Sequence, residues 1–444
     1  MSEEKKTKRG RTLVALGFGH FIDQGEAQAM SVLLPVIQSV FGVSFAQLGL
    51  MTTLRNILQT VSAPFWGFAA DKLSRKKVLI FGTGIWGIWT ILVGFAPNFQ
   101  FMLIIRAISG LGLGCLMPAT FSLLADHFPQ SQRGRALGTI GMIGLFGTVI
   151  GVAALGFVAT EDLWRWGFVG LGLASIVSGA LIWWLVEEPP RGAMETELAD
   201  VITHENQDQF SIKPIDVITT LKIPTLWAAI LQGVTGSAPW VVMSFFFITW
   251  MVQTLGFSES ISFDNPQGSA PIVFAGIVIG SAISNLLGGI IGDYAESVNP
   301  KYGRTVIGQF SVFAGVPLMY ILLTRAQEMS FWGLFGFAFG TALLIGWPGR
   351  GAKEPMMEDV VPPNLRSSAF AVVAFVEGGL SAFAGLIAGS LADRIGLTNA
   401  LLWTVPFPWV ICGIFFTMFY FTYPKDSAKV HAQMEAQRQQ LLEN

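Results

Sequence analysis

The chain has 444 residues, of which 52% are hydrophobic and only 13% charged, and its mean hydropathy is +0.57. A chain this apolar is not an ordinary soluble protein; the composition points to a polytopic membrane protein. The net charge of -2 gives no reason to expect a nucleic acid partner, and in such a protein the placement of the cations matters more than their sum.

The N-terminus, Met1 to Arg11, is a basic tail joined to an apolar stretch too long for a signal peptide, so no cleaved segment is expected. From there the chain holds twelve apolar stretches of about 20 or more residues, the length that crosses roughly 30 Å of hydrocarbon as helix. Helix 1 is expected over about 12–39, helix 2 over 46–70, helix 3 over 78–96, helix 4 over 101–125, helix 5 over 135–159 and helix 6 over 165–187. A polar stretch, Glu188 to Lys222, carries Pro189, Pro190 and Pro214 and reads as a linker. Helix 7 follows over about 225–254, helix 8 over 269–292, helix 9 over 304–324, helix 10 over 330–352, helix 11 over 367–391 and helix 12 over 399–422. The expected domains are therefore 1–187 and 225–444, each a six-helix bundle, joined by 188–224.

Most of the 27 Lys and Arg fall in segments on the side of the N-terminus, while the opposite segments hold Arg165, Arg325 and Arg394. Both termini are thus expected in the cytoplasm. The missing Asn-x-Ser/Thr sequons and compact tails suggest a bacterial inner membrane. Cys115 and Cys412 both lie in apolar spans, so no disulfide framework is expected. No metal-ligand spacing, phosphate loop or nucleophile-base pair speaks for an enzyme, a metal or a cofactor.

Between helices 2 and 3 the chain reads G-F-A-A-D-K-L-S-R-K-K from Gly67 to Lys77. Gly67 lets another helix come close, Asp71 leaves the hydrocarbon, and Lys72, Arg75, Lys76 and Lys77 pin that end. The Gly-x-x-x-Asp spacing recurs at Gly289 and Asp293, and again at Gly389 and Asp393 with Arg394 beside it, which argues for internal duplication. On these residues the chain resembles the major facilitator superfamily, although Ser74 stands where that family's loop usually has Gly. Arg106, Gly110 and Gly112 resemble the family's helix 4 pattern, and Trp164-Arg165-Trp166 is a frequent companion. The resemblance implies an all-α membrane protein of twelve transmembrane helices in two pseudo-symmetric bundles, working by alternating access.

Helix 5 carries Gly144, Gly147, Gly151 and Gly156 but lacks the Gly-Pro core of drug/proton antiporters. Val360 to Arg366 and Gly315-Val316-Pro317 look like Spinster-like lipid transporters, with anion:cation symporters close behind. Both groups usually carry an Arg and a Glu where this chain has Gln24 and Leu113.

A charge at bilayer depth is costly unless it has a partner or a wet cavity, so each is a functional candidate. His20, Asp23 and Glu26 lie within an arc of about 120° on helix 1, and Asp23 falls near the midplane. A carboxylate out of water holds a proton more readily than one in water, which makes these three, with Glu377 of helix 11, the proton-coupling candidates. Glu377 has no local partner in the sequence. Arg55 of helix 2 is the obvious counter-ion for Asp23 or Glu26, or a clamp for an anionic substrate. Arg106 is expected either to touch substrate or to hold backbone carbonyls of helix 1. Arg350, Lys353 and Glu354 crowd the end of helix 10, as an anion pocket or a solvated mouth. In helix 7, Pro239 is expected to break the helix and aim Gln232, Ser237 and Trp240 at a ligand. Gly67, Asp71, Arg75, Arg133 and Arg135 form the expected gate, with Asp71 pairing with Arg133 or Arg135 or capping helix 11 at Ser367 and Ser368.

These residues support a secondary transporter of a small or amphiphilic organic anion, proton-coupled and monomeric. A Spinster-like lysolipid or sphingolipid transporter is the first alternative. A non-transporting scaffold or receptor is the second, weakened by the ionisable residues at depth.

Overall fold

All twelve apolar stretches are helical in a computed structural model, which describes residues 3–72, 74–189, 221–262, 267–362 and 365–443. The side chains of 3–8, 67, 68, 70–72, 117, 118, 121, 125, 130, 131, 134, 367, 368 and 436–443 lie outside that description, as does most of the expected linker, 190–220. Helix 1 consists of Glu3–Ala27 and Ala29–Phe41, helix 2 of Phe45–Lys72, and helix 3 of Arg75–Leu79 and Gly87–Gly94 joined by a π-helical turn, Ile80–Ile85. Helix 4 is Phe99–Leu113 and Leu116–His127, helix 5 Gln130–Phe157 and helix 6 Trp164–Leu185. Helices 7, 8 and 9 are Pro224–Leu255, Ala270–Val298 and Gly303–Arg325. Helix 10 is Phe331–Ile345 and Glu354–Asp359 around a second π-helical turn, Pro348–Lys353. Helix 11 is Arg366–Ser381 and Ala384–Ile395, and helix 12 Leu397–Thr404 and Pro406–Glu443.

Among the described residues, nine helices are long and apolar enough to cross a membrane, and Phe99–Leu113 is a shorter apolar one. Helices 1 and 2 are not among the nine. Helix 1 runs back into the Lys- and Arg-rich tail and bears His20, Asp23 and Glu26, while helix 2 bears Arg55 and a run of polar residues. Helix 1 also departs from the single span expected, since it stops at Ala27 and restarts at Ala29.

Two compact units are formed, one of residues 1–211 with 245–275 and one of 212–244 with 276–444. In the first, helices 1 and 5 touch backbone to backbone. A Cβ on Gly147 would come within 2.2 Å of Phe21 O, and one on Gly151 within 2.6 Å of Gly25 Cα. With no hydrophobic drive in lipid, such close approach supplies the packing that holds helices together. Gly110 of the helix 4 motif works likewise: a Cβ there would meet Arg55 O of helix 2 at 2.4 Å.

Arg75 fastens one end of this unit. It is fully buried, and Ser74 caps the helix start by accepting from Lys77 N. The Arg75 guanidinium donates to Asp126, to Ser122 Oγ at 3.1 Å and to Pro189 O at 2.9 Å, and its backbone N–H donates to Glu188 Oε1 at 2.6 Å. The start of helix 3, the end of helix 4 and the chain after helix 6 are thus tied to one side chain.

Helix 7 is continuous from Pro224 to Leu255 with Pro239 inside it, so the expected break does not occur. Trp409 Nε1 of helix 12 donates to Gly236 O, one turn before Pro239, at 3.3 Å. At the start of helix 9, Arg304 pairs with Asp293 and Glu296, each at 2.6 Å, and donates to Gly351 O at 3.1 Å. Asp293 of the repeated motif therefore has a cation of its own.

Candidate functional site

In the first unit, the polar groups converge where helix 1 passes helices 3 and 4. Glu26 is 5% exposed, and its Oε1 accepts from Thr90 Oγ1 at 2.8 Å and from Arg106 Nη1 at 3.2 Å. Arg106 is equally buried, lies over the Phe168 ring at 5.9 Å, and leaves its Nε without a hydrogen bond. Asp23, one turn before Glu26, shares with it a cavity of about 20 Å³ lined also by Thr83, Trp86, Thr90 and Ser178. That is room for roughly one water, and Ser178 Oγ has no partner in the protein. Arg55 lies within electrostatic range of both Asp23 and Glu26. Its Nη1 donates to Asn56 Oδ1 at 3.3 Å and its buried Nε is unpaired.

Two sequence expectations change here. The counter-ion hydrogen-bonded to Glu26 is Arg106, not Arg55, because helix 4 faces that turn of helix 1 while Arg55 comes in beside Gly110. Arg106 in turn holds a carboxylate, not the backbone carbonyls of helix 1. His20 is buried but turns to helix 5, where a Cβ on Gly144 would lie 2.6 Å from its Nε2, and it does not line the cavity. Thr90 and Phe168 were not singled out from the sequence; no motif marks a threonine or a phenylalanine in an apolar span.

In the second unit, a cavity of about 310 Å³ is lined by Gln232 and Trp240 of helix 7, Asn285 of helix 8, Lys353 of helix 10, and Trp409 and Cys412 of helix 12, among others. Gln232 and Trp240 are thus brought together as expected residues of one wall. Glu377 is not alone: Lys353 Nζ donates to its two oxygens at 2.7 and 3.0 Å. Lys353 closes the π-helical turn Pro348–Lys353, and Arg350 in the same turn is exposed and pairs with Glu354 at 3.3 Å. Glu377 also presses on helix 7, since a Cβ on Gly233 would lie 1.6 Å from its Oε1.

Of the residues expected to form the gate, Arg75 is engaged as described above. Arg133 donates from Nε to Phe128 O at 3.2 Å, and Arg135 is exposed on the first turns of helix 5. Gly67 lies within helix 2, while the side chains of Asp71, Ser367 and Ser368 lie outside the described residues. No group of His, Cys, Asp and Glu among the described residues could hold a metal ion.

A family profile described as Major Facilitator Superfamily matches residues 16–353, well over half of the chain. The chain belongs to the Major Facilitator Superfamily. Membership makes it an integral membrane transporter, not an enzyme. Relatives within the superfamily include Protein spinster homolog 1 of Xenopus laevis, 24% identical over 82% of this chain and 69% of that protein. The protein named Probable sulfoacetate transporter SauU, of Cupriavidus necator, is 24% identical over 68% of this chain and 69% of its own. Two uncharacterised transporters of Bacillus subtilis match over only 44% and 35% of this chain, spanning 37% and 38% of their own lengths. Among solved superfamily structures, a bacterial homologue of the human lysosomal transporter Spinster, inward-facing and unoccupied, superposes with a TM-score of 0.75. That match has 19% identity and covers 97% of this chain and 99% of that one.

Proposed function

We propose that this transporter moves a small or amphiphilic organic anion by alternating access, coupled to protons. The observation that carries the reading is the cluster of the first unit, in which the buried Glu26–Arg106 pair has the half-buried Asp23 beside it and Arg55 within electrostatic range. Two carboxylates and two guanidiniums at that depth are costly and serve no packing need that apolar residues would not meet better. In this reading Asp23 and Glu26 take and release the proton, His20 assists them, and Arg106 is the hydrogen-bonded partner of Glu26. Arg55, with unspent donors, offers its planar fork to the substrate anion. Gln232 and Trp240 contribute substrate contacts from the second half, Arg350 belongs to a solvated mouth outside the cavity that they line, and Glu377 is a further proton site.

The same reading places both termini in the cytoplasm of a bacterial inner membrane, the protein acting as a monomer of two six-helix bundles, 1–187 and 225–444, joined by 188–224. Gly67, Asp71, Arg75, Arg133 and Arg135 would gate the cytoplasmic side. The sulfoacetate named for one relative favours a small anion. A Spinster-like lysolipid or sphingolipid cargo is the second reading, favoured by the long match to the spinster homologue and by the superposition.

Purified protein in liposomes, screened with carboxylates, sulfonates and lysolipids with and without an imposed pH gradient, tests both. Asp23→Asn should abolish gradient-driven uptake and spare exchange. Normal gradient-driven uptake by that variant would overturn the coupling assignment.

A further inference from the structure

The cavity of the second unit joins an ion pair, an unpaired acceptor and an aromatic wall. Lys353 stands in its lining and holds both oxygens of Glu377. Gln232 lines it too, is 5% exposed, and has no donor for its amide Oε1, although its Nε2 lies 3.3 Å from Cys412 Sγ. Ser281 Oγ in the same lining is also unpaired. Trp240 and Trp409 form one side, ring centroids 6.1 Å apart at 64°.

A purely structural ion pair needs neither an open space beside it nor a buried acceptor left without a donor, since such an acceptor is unfavourable until something fills it. What would complete this site is an anionic group for Lys353, an adjacent O–H or N–H for Gln232, and a flat or apolar body for the two indoles. At about 310 Å³ the cavity is at the small end of ligand pockets, which run from roughly 300 to 1,000 Å³. It fits a small molecule or a lipid headgroup, not a whole lipid.

We propose that Lys353 exchanges partners here: an anion bearing a neighbouring hydroxyl or N–H donor takes its ammonium, and the released Glu377 takes up one proton. The inference rests on the anionic cargo argued above and adds the chemistry that selects it. Charge balances, since Lys353 keeps its proton, the anion replaces the carboxylate as counter-ion, and Glu377 becomes a neutral acid. One anion and one proton thus enter together with no net charge added to an apolar interior. Among the described residues, the other titratable groups around Glu377 are Glu354 of helix 10, itself paired with Arg350, and Cys412 of helix 12, and Gly233 of helix 7 packs against it.

The test uses the full chain in nanodiscs with three probes: mandelate, which has carboxylate, hydroxyl and ring; phenylacetate, which lacks the hydroxyl; and lysophosphatidylethanolamine as the headgroup source. Binding is measured by calorimetry and proton uptake by an indicator dye in weak buffer. Mandelate should bind about tenfold tighter than phenylacetate, with about one proton taken up per anion, and Gln232→Leu should bring the two within about twofold. Glu377→Gln should still bind but take up no proton, and Lys353→Gln should lose binding. Lysolipid binding with proton uptake, in place of mandelate, would assign the site to a headgroup and keep the exchange. If the wild type binds no probe, or Glu377→Gln takes up protons as the wild type does, the exchange is wrong. Loss of gradient-driven uptake in Asp23→Asn with normal proton uptake in Glu377→Gln would sink this inference while leaving the first-unit reading standing.

Discussion

At Glu26 and Arg106 the burial is nearly complete on both sides, so the pair is held by what each does for the other. Removing one member of a buried pair strands a charge, which typically costs about 3–5 kcal/mol, whereas replacing both with apolar residues is often neutral. Arg106→Met should therefore lower the melting temperature in detergent sharply, and the double variant with Glu26→Met should recover most of it while remaining unable to drive uptake with a pH gradient. A double variant as unstable as the single one would mean that Arg106 matters for something other than Glu26. Gly233 offers a milder probe. Its added Cβ would fall on the Glu377 carboxyl group, which must swing off Lys353, so Gly233→Ala should cost about 1–3 kcal/mol in stability. It should nonetheless weaken proton coupling as Glu377→Gln does, because the carboxylate can no longer hold Lys353 at 2.7 Å.

Helices in this chain are joined by two kinds of device. Glycine seams bring backbones together in mid-span, and buried arginines tie helix ends. Gly147→Val would push the helix 1 backbone off helix 5, because the nearest obstacle is Phe21 O, a main-chain atom that cannot rotate away. Expression level and melting temperature should both fall, more than for Gly138→Val, where nothing lies near. Arg75 works at the helix ends. Its planar fork reaches Asp126, Ser122 and Pro189 together, which a lysine ammonium cannot do. Arg75→Lys should lose roughly 2–3 kcal/mol, seen as earlier unfolding and faster proteolysis near helix 3. Ser122→Ala, which removes one neutral partner, should lose about 1 kcal/mol.

For the whole molecule, alternating access requires contacts that hold in one arrangement and part in the other. We expect Asp71, near the end of helix 2, to belong to such a contact. Asp71→Asn should slow transport and raise the accessibility of single cysteines placed in the cytoplasm-facing halves of the helices. Unchanged rates and labelling would remove Asp71 from the gate. The two coupling candidates, Asp23 in the first unit and Glu377 in the second, also make a joint expectation. If each carries its own proton step, the double variant Asp23→Asn with Glu377→Gln should lose the pH dependence that either single variant retains in part, measured as uptake against external pH.

Class, spans and family were readable without coordinates because hydropathy belongs to each segment by itself: a run of apolar residues such as Ile80 to Phe95 must enter lipid and, once there, must be helical. Helical rise likewise sets the expected depth of Asp23 and Glu377 within their spans from the sequence alone. Which charges meet was not. Glu26 and Arg106 are 80 residues apart and Lys353 and Glu377 are 24 apart, and their pairing depends on how each helix is rotated and how closely its neighbours come. Nor does the sequence mark the π-helical turn ahead of Glu354 or show that helix 7 runs unbroken through Pro239. Those are effects of neighbours packed in space, and only the tertiary structure could decide them.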